Sequence, residues 1–278
     1  MESFRTLRHN DMAKSDHRRY NINSIDRALN LLELLAKDGE AIGVTDLSRR
    51  LDLDKSMIYR LLSTLAIRGY VEQDQATRKY KLGLKVVELA GMKLSTVEMF
   101  SVARPLLKGL VKRTGETVHM AMLVQLDIIC LDKEEGPAIL NIKGGIGDKY
   151  PPHAAAIGKA VIAYLPEEQL RVILEKHGMP RYTSKTITSV DALKRHLRAV
   201  REKGYAVNDE ETYLGVRSIA APVRDRKGEV VASLGLSGTA QRISREKIET
   251  LAKAVIEVAD RVSAELGHYS SPRISATG

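Results

Sequence analysis

One short segment of the chain carries cationic, hydroxyl and phenol side chains on a single face of a helical spacing. They are Lys55, Ser56, Tyr59, Arg60 and Ser63. Ile58, Leu61 and Leu65 mark the opposite, apolar face. Asp54 stands directly ahead and is placed to cap the helix. Because such side chains donate hydrogen bonds to phosphate oxygens and base edges, and a helix fits the DNA major groove, the segment predicts a DNA recognition helix.

The elements that would position this helix precede it directly in the sequence. Val44 and Leu47 predict a shorter helix that Thr45 can N-cap, and residues 51–54 form the turn between the two helices. Ser24 is placed to cap a further helix, whose apolar side would complete a small core. This order is typical of a helix-turn-helix.

A basic hairpin is predicted after the recognition helix. Two extended runs, 70–73 and 78–82, flank a polar turn, and the return strand carries Arg78, Lys79 and Lys81 for contact with phosphates. One basic face is most often merely solvated, but helix, turn, helix and basic wing in this order are rare by chance. The set predicts a winged DNA-binding domain over residues 21–82. Thr45 and Met57 complete the candidate contacts, and Met57 either meets a thymine methyl group or extends the core.

The overall composition limits which partners, covalent links and metal sites the chain can have. The chain has 278 residues, a formal net charge of +9 and a pI near 9.5, which favours polyanionic partners without locating them. Its single cysteine, Cys130, excludes an intramolecular disulfide and a cysteine-rich zinc site, and its apolar neighbours predict burial. We expect no metal and no cofactor. Since the charged N-terminus does not resemble a signal peptide and no apolar stretch reaches membrane-spanning length, we expect a cytoplasmic protein without membrane contact.

The remainder of the chain alternates between helical and extended patterns. Helices are predicted at 102–113, 155–164, 167–177, 190–203 and 245–266, and strands at 117–124, 128–133, 138–142, 205–207, 217–224 and 230–236. Hairpins flanked by helices indicate a mostly antiparallel sheet in an α+β domain over residues 101–268. The apolar stretch 83–100 predicts a linker and dimerisation helix. Residues 1–20 predict a disordered basic arm and 269–278 a flexible tail.

The segment Tyr150–Lys159 is the first candidate ligand site. Two prolines are followed by small residues that begin a helix, so the N–H groups of the first turn are not covered by side chains. Such groups attract carboxylates and phosphates. An equally good alternative is that the small residues allow close packing of the helix on the sheet. His119 and His153 are expected to be satisfied core residues rather than ligands or bases.

The segment Asn208–Pro222 is the second candidate ligand site. Ser218 on its strand and Ser237 on the hairpin partner can face one cavity, although two buried hydroxyls bonded to the backbone would look the same in sequence. The carboxylates at 209–211 have no partner histidine and no metal-ligand spacing. We expect them to be surface or helix-capping charges.

Four segments carry a family resemblance, in the order 54–62, 153–160, 208–222 and 236–238. Through them the chain resembles the IclR family, the isocitrate lyase regulator type of transcriptional regulator, over about residues 20–268. The resemblance implies a winged helix-turn-helix domain, a linker helix and a GAF-like effector domain with an antiparallel sheet. It also implies a double-stranded DNA operator, a small organic acid as effector, and self-association as a dimer or a dimer of dimers.

The resemblance also assigns the effector site. The matching positions are Ile139, Leu140, Ile142, Tyr150, Ala156, Ile157, Asn208, Val216, Ser218, Gly235 and Ser237. Members that bind small keto acids usually have an acid where this chain has Asn208, and a hydroxyl where it has Gly235. An amide that donates as well as accepts, and a glycine that leaves room, favour an aromatic or longer-chain carboxylate over glyoxylate or pyruvate.

Two further functions compete with a ligand-responsive regulator. An enzyme with an accessory DNA-binding domain would use Cys130 or His153 as nucleophile or base, but the chain shows no ordered trio of nucleophile, base and orienting group. A purely architectural DNA-binding protein would have no use for a second domain with a pocket. A regulator whose operator affinity depends on a bound acid accounts for both parts of the chain.

Overall fold

The computed structural model describes residues 22–95, 98–137 and 144–268. The chain divides into two compact units, Met1–Thr96 and Val97–Gly278. The predicted basic arm at 1–20, strand at 138–142 and tail at 269–278 lie outside the described residues. The stretch 83–100, predicted as one linker helix, contains the whole of one helix, Lys85–Ser95, in the first unit and the start of another, Glu98–Thr114, in the second.

The first unit is a winged helix-turn-helix. Its elements are α1 (Asn23–Asp38), α2 (Val44–Leu51), α3 (Lys55–Ile67), β1 (Val71–Gln73), β2 (Tyr80–Leu82) and α4 (Lys85–Ser95). Leu31, Leu47 and Ile58 come from the three helices and are fully buried in a common core. Tyr80 joins the hairpin to this core, because its backbone exchanges two hydrogen bonds of 2.8 Å with Ile42.

Of the three helix caps predicted in the first unit, one is confirmed. The Asp54 carboxylate accepts a hydrogen bond of 2.9 Å from the backbone N–H of Met57 and so caps α3. The predicted caps Ser24 and Thr45 are wrong, since α1 begins after Ile22 and α2 after Gly43, in each case without a side-chain cap. Both residues therefore lie inside the first turn of their helices.

The hairpin turn is closed by Asp74. Its carboxylate accepts from the backbone N–H and the hydroxyl of Thr77, both at 2.7 Å. Arg78 follows in the left-handed region with φ of 59° and donates its N–H to the carbonyl of Asp74. The return strand therefore begins at Tyr80, two residues later than predicted.

Within the described residues, the second unit is built on one antiparallel sheet of six strands. They are β3 (Thr117–Val124), β4 (Asp127–Glu134), β5 (Lys149–Tyr150), β6 (Ala206–Asp209), β7 (Val216–Arg224) and β8 (Val230–Thr239), in the spatial order β5-β4-β3-β8-β7-β6. The helices are α5 (Glu98–Thr114), α6 (Ala156–Ile162), α7 (Glu167–His177), α8 (Val190–Lys203) and α9 (Ile248–Glu265). The α+β class and the antiparallel sheet were predicted. The predicted helix at 245–266 is a 3₁₀ turn, Arg245–Lys247, followed by α9.

The sheet separates two apolar cores. Val118 and Met120 of β3 pack with α5 and α9, whereas Ala121 packs on the opposite face with α6, α7 and α8. This division follows from the alternation of side chains along a strand. Thr117, His119 and Ala121 therefore point to the side of the sheet on which α6 lies. Among the described residues, none of the helices combines the length and apolar character needed to cross a membrane.

Gly158 provides a test of how α6 is packed. A Cβ at this position would lie 2.8 Å from the carbonyl oxygen of Pro152, so Gly158→Ala forces the Pro151–Pro152 segment away from the helix. We expect a loss of about 1–3 kcal/mol in the free energy of unfolding. Gly109→Ala is the matched control, because nothing lies within 4 Å of its Cβ, and alanine should stabilise α5 by up to about 1 kcal/mol. Urea unfolding that ranks the two variants in the opposite order would contradict this packing.

Candidate functional site

The predicted DNA-contacting face of α3 is open to solvent in the structure. Its five polar and charged residues, Lys55, Ser56, Tyr59, Arg60 and Ser63, are all exposed, and Tyr59 retains 55% of its accessible surface. The same helix buries Ile58, Leu61 and Leu62 on its other side. The hydroxyl of Ser56 donates to Asp54, so it is oriented by the helix cap. The helix is thus held by its apolar side while its donors remain available.

Met57 and Thr45 differ from the other candidate contacts. Met57 is partly buried and packs against the core of the first unit, which supports the alternative that it extends the core. Thr45 is exposed in the first turn of α2. It therefore stays available as a hydroxyl donor, although it does not cap the helix.

The hairpin presents its cations at the surface. Arg78, Lys79 and Lys81 are exposed. The Lys81 ammonium lies 3.6 Å from the carboxylate of Glu72 on the opposite strand, and both side chains are about half exposed. Since an exposed pair of this kind contributes little stability, Lys81 can exchange the carboxylate for a phosphate.

The second unit contains a cavity of about 500 Å³ on the α6 side of the sheet. The sheet supplies one wall, and the other walls come from Tyr150, the start of α6 and the rings of Tyr182 and Tyr213. Seven predicted effector residues line it: Tyr150, Ala156, Ile157, Asn208, Val216, Ser218 and Ser237. The predicted wall residues Ile139, Leu140 and Ile142 lie outside the described residues. Residues from distant parts of the chain are therefore brought together at one site.

Four polar side chains of the cavity form a row across four neighbouring strands. Thr117 of β3 is paired with Ser237 of β8, Ser237 with Ser218 of β7, and Ser218 with Asn208 of β6. The hydroxyl of Ser237 donates to that of Ser218 at 2.9 Å. The predicted meeting of these two hydroxyls in one cavity is thus seen. The row presents several hydrogen-bonding groups along a single line of the sheet.

Gly235 does not line the cavity. A Cβ at this position would lie 2.6 Å from the Cβ of Ala220 and 2.8 Å from its Cα on the neighbouring strand. The close approach of β7 and β8 is therefore what requires glycine here. This corrects the interpretation that Gly235 leaves room for a ligand.

The start of α6 lies on the cavity, but the helix is short. It spans Ala156–Ile162, about two turns, so its dipole is limited to a few peptide units. The N–H groups of Ala154 and Ala155 already donate to the carbonyl of Pro151. A charged ligand therefore needs a side-chain partner in addition to the backbone.

Lys133 and His119 are among the polar residues of the cavity that were not recognised from the sequence. Lys133 lines the cavity with a side chain only 19% exposed, and its ammonium lies 3.0 Å from the carboxylate of the exposed Glu135. His119 also lines it, and its buried Nδ1 has no hydrogen-bond partner in the described part of the chain. His119 is therefore not the satisfied core residue that was expected. Alternation along β3 was the available signal, because it places Thr117 and His119 on one face.

A buried ion pair joins two elements that form walls of the cavity, α6 and the loop after β6. The Lys159 ammonium of α6 contacts the Glu211 carboxylate after β6; the Lys159 side chain is fully buried and that of Glu211 is 6% exposed. Burial lowers the pKa of Lys159 and raises the pKa of Glu211, and their mutual attraction opposes both shifts. The expectation that Glu211 is a surface charge is wrong, because its partner comes from a helix 52 residues earlier.

The ion pair belongs to a loop that carries part of the cavity wall. The amide of Asn208 accepts from the N–H of Glu211 and donates to the hydroxyl of Thr212, both at 2.7 Å. The carbonyl of Glu211 accepts from Thr186 at 2.6 Å. Asn208 and Thr212 both line the cavity, so the contacts that fix Glu211 also fix the part of the cavity wall that these two residues form.

Comparison with known proteins identifies the family. Residues 24–75 match the profile of the IclR helix-turn-helix domain, and residues 92–264 match that of the C-terminal domain of the bacterial transcriptional regulator IclR. The chain belongs to the IclR family of bacterial transcriptional regulators. This IclR-family chain is 34% identical over 247 residues to the HTH-type transcriptional regulator XynR of Escherichia coli strain K12, covering 89% of this chain and 98% of XynR.

Solved structures agree with the fold. An IclR transcriptional regulator from Alicyclobacillus acidocaldarius superposes with a TM-score of 0.80 at 29% identity, covering 89% of this chain and all of that one. An IclR homologue from Microbacterium hydrocarbonoxydans, crystallised with 4-hydroxybenzoate, superposes with a TM-score of 0.79 over 87% of this chain and 98% of that one. At 23% identity, the latter shows a shared fold alone.

The IclR-family chain is a DNA-binding regulator rather than an enzyme, since the relatives it matches are named as transcriptional regulators and repressors. The two side chains proposed for the enzyme alternative agree with this. Cys130 is buried, which raises the pKa of its thiol to about 11 and disfavours the thiolate nucleophile. His153 bonds the carbonyl of Pro180 through Nε2 at 3.1 Å and stacks on Tyr182, but its buried Nδ1 has no hydrogen-bond partner among the described residues, so it is only partly the satisfied core residue that was expected.

Removing one partner of the buried ion pair should be more damaging than removing both. We expect Lys159→Met to lower the free energy of unfolding by about 3–5 kcal/mol, because it leaves Glu211 buried without its cation. The double variant Lys159→Met/Glu211→Leu should recover most of this loss. Lys194→Met, which breaks an exposed pair with Glu167, is the control and should change little. Additive losses in the double variant, measured by urea unfolding, would show that the two charges do not stabilise each other.

Proposed function

We propose that the chain is a ligand-responsive transcriptional regulator whose affinity for a pseudo-palindromic operator changes when a small organic acid binds the cavity. The observation that carries this proposal is the cavity itself, with a polar row on the sheet and apolar and aromatic walls opposite. Pockets of roughly 300–1,000 Å³ with a few convergent polar groups are typical ligand sites. An architectural DNA-binding protein would have no use for such a space.

The polar groups of the cavity favour an acid. Lys133 on β4 offers the ammonium of a side chain that is only 19% exposed, and Ser237 on β8 and Ser218 on β7 offer hydroxyls on the same face of the sheet. A charged hydrogen bond to an ammonium is stronger than a neutral one, most of all where water is excluded. We infer that the carboxylate of the effector is held at this side of the cavity.

The opposite wall favours an effector with an apolar body. Tyr150, Ile157 and Tyr182 provide aromatic and aliphatic surface, and the volume exceeds what a two- or three-carbon acid fills. The IclR homologue from Microbacterium hydrocarbonoxydans binds 4-hydroxybenzoate. We therefore propose an aromatic or longer-chain carboxylate from a catabolic pathway as the effector class.

The surface of the first unit supports self-association. On α1, Ile25 and Leu29 are 54% and 53% exposed, and around α4, Leu84, Val87 and Met92 are 75%, 65% and 59% exposed. Large apolar side chains in such groups are typical of an interaction surface. We propose that a second copy covers them, giving a dimer or a dimer of dimers. Paired recognition helices would then read two half-sites, and a bound acid would act by changing their spacing.

The effector class is tested by calorimetry on the full chain. We expect benzoate, 4-hydroxybenzoate or hexanoate to bind more tightly than pyruvate, because only the larger acids reach both the polar row and the apolar wall. Ser237→Ala should weaken the binding of every acid by about tenfold, since it removes a hydroxyl from the row. Tight binding of pyruvate with no binding of the larger acids would contradict the proposed class.

The DNA-contacting face is tested on fragments that the wild-type protein selects from a random pool. We expect Lys55→Ala and Arg60→Ala each to weaken binding by about tenfold or more in fluorescence anisotropy. A phosphate contact should lower the salt dependence by about one unit of slope, whereas a base contact should relax sequence preference. Lys37→Ala, an exposed cation on α1, is the control. Unchanged affinity in both α3 variants would remove the assignment of the recognition helix.

A further inference from the structure

His119 lines the cavity, whereas the residues on either side of it on β3, Val118 and Met120, do not. Val118 and Met120 point into the core formed with α5 and α9, so His119 points to the other face of the sheet, where the cavity lies. Its side chain is 9% exposed. Its ring meets that of Tyr150 edge-on, with the ring centres 6.1 Å apart. The imidazole is thus fixed by packing and borders the ligand space.

Each polar side chain of the row has at least one hydrogen-bond partner, but the imidazole of His119 has none among the described residues. Ser237 bonds Ser218, the amide of Asn208 bonds Glu211 and Thr212, and the Thr117 hydroxyl accepts from the N–H of Gly136. By contrast, the Nδ1 atom of His119 is buried and has no hydrogen-bond partner among residues 22–95, 98–137 and 144–268. Since Nδ1 is closed to solvent, a ligand in the cavity can bond the imidazole only through its other ring nitrogen, Nε2, for which the described residues also provide no hydrogen bond.

The imidazole is uncharged at physiological pH. Burial, together with the ammonium of Lys133 on the neighbouring strand, lowers the pKa of His119 to about 4. A neutral imidazole has one N–H donor and one acceptor nitrogen. It is therefore matched to an uncharged hydroxyl or carbonyl group.

We propose that His119 is a specificity residue that selects effectors carrying an uncharged hydroxyl or carbonyl group in addition to their carboxylate. This inference rests on the proposed function of the cavity as an effector site. The polar row begins at Thr117, two residues from His119 on the same face of the strand, a separation of about 6.8 Å. One aromatic ring or a short carbon chain spans this distance. The carboxylate lies at the row, and the second polar group lies at His119.

The test compares matched acids on three variants of the full chain. The probes are benzoate, 3-hydroxybenzoate and 4-hydroxybenzoate, and dissociation constants are measured by calorimetry. His119→Phe keeps a ring against Tyr150 and removes both nitrogens, whereas His119→Gln and His119→Asn each retain an amide that can donate and accept. Thermal unfolding of each variant checks that the fold is kept.

For the wild-type chain we expect at least one hydroxybenzoate to bind about tenfold more tightly than benzoate. His119→Phe should abolish this preference, so that the dissociation constants for the three acids lie within about twofold of one another. His119→Gln or His119→Asn should restore part of the preference. A merely structural role would instead change the affinities for all three acids by the same factor.

Two results overturn the inference while leaving the effector site intact. One is a wild-type chain that binds benzoate and both hydroxybenzoates equally well. The other is a His119→Phe variant that keeps the preference, or that loses affinity for all three acids in parallel. If none of the three acids binds the wild-type chain at any concentration up to the millimolar range, the proposed aromatic effector fails and this inference fails with it.

Discussion

Lys159 and Glu211 meet in the interior of the second unit, where neither charge is solvated. Two buried charges lose much of their hydration energy, and only close approach with good geometry offsets this cost. The pair therefore tolerates one arrangement of α6 relative to the loop after β6. That loop carries Asn208 and Thr212, and α6 begins with Ala156 and Ile157, so both sides of the cavity depend on the same contact.

The sheet supplies most of the hydrogen-bonding side chains that line this cavity. Because side chains alternate along each strand, one face packs in the core with α5 and α9, and the other carries Thr117, Ser218 and Ser237 into the cavity. Antiparallel register then aligns these residues into a row. Hydroxyls placed in this way are fixed by the backbone of neighbouring strands, so a ligand does not have to order them.

The two units use polar groups in opposite ways. On α3 the donors are exposed and the helix is held by its apolar face, so Lys55 and Arg60 keep the freedom to adjust to phosphates and bases. In the cavity the polar groups are largely buried and preorganised, and His119 is left with unused hydrogen-bonding capacity. The first arrangement suits contact with a long, hydrated polyanion, and the second suits recognition of a small molecule.

The sequence by itself determined those features that depend on neighbours along the chain. Apolar spacing and the Asp54 cap identified α3, the limits of β3, α7 and α8 were predicted correctly, and the winged helix-turn-helix and antiparallel sheet followed from their order. Tertiary structure alone decided that Glu211 is buried, that Gly235 faces a neighbouring strand, and that His119 borders the cavity. Periodicity shows which face of an element is apolar, but not which residue lies across from it. Burial of a charge, the space beside a glycine and the partner of an imidazole all depend on residues that are distant in the sequence.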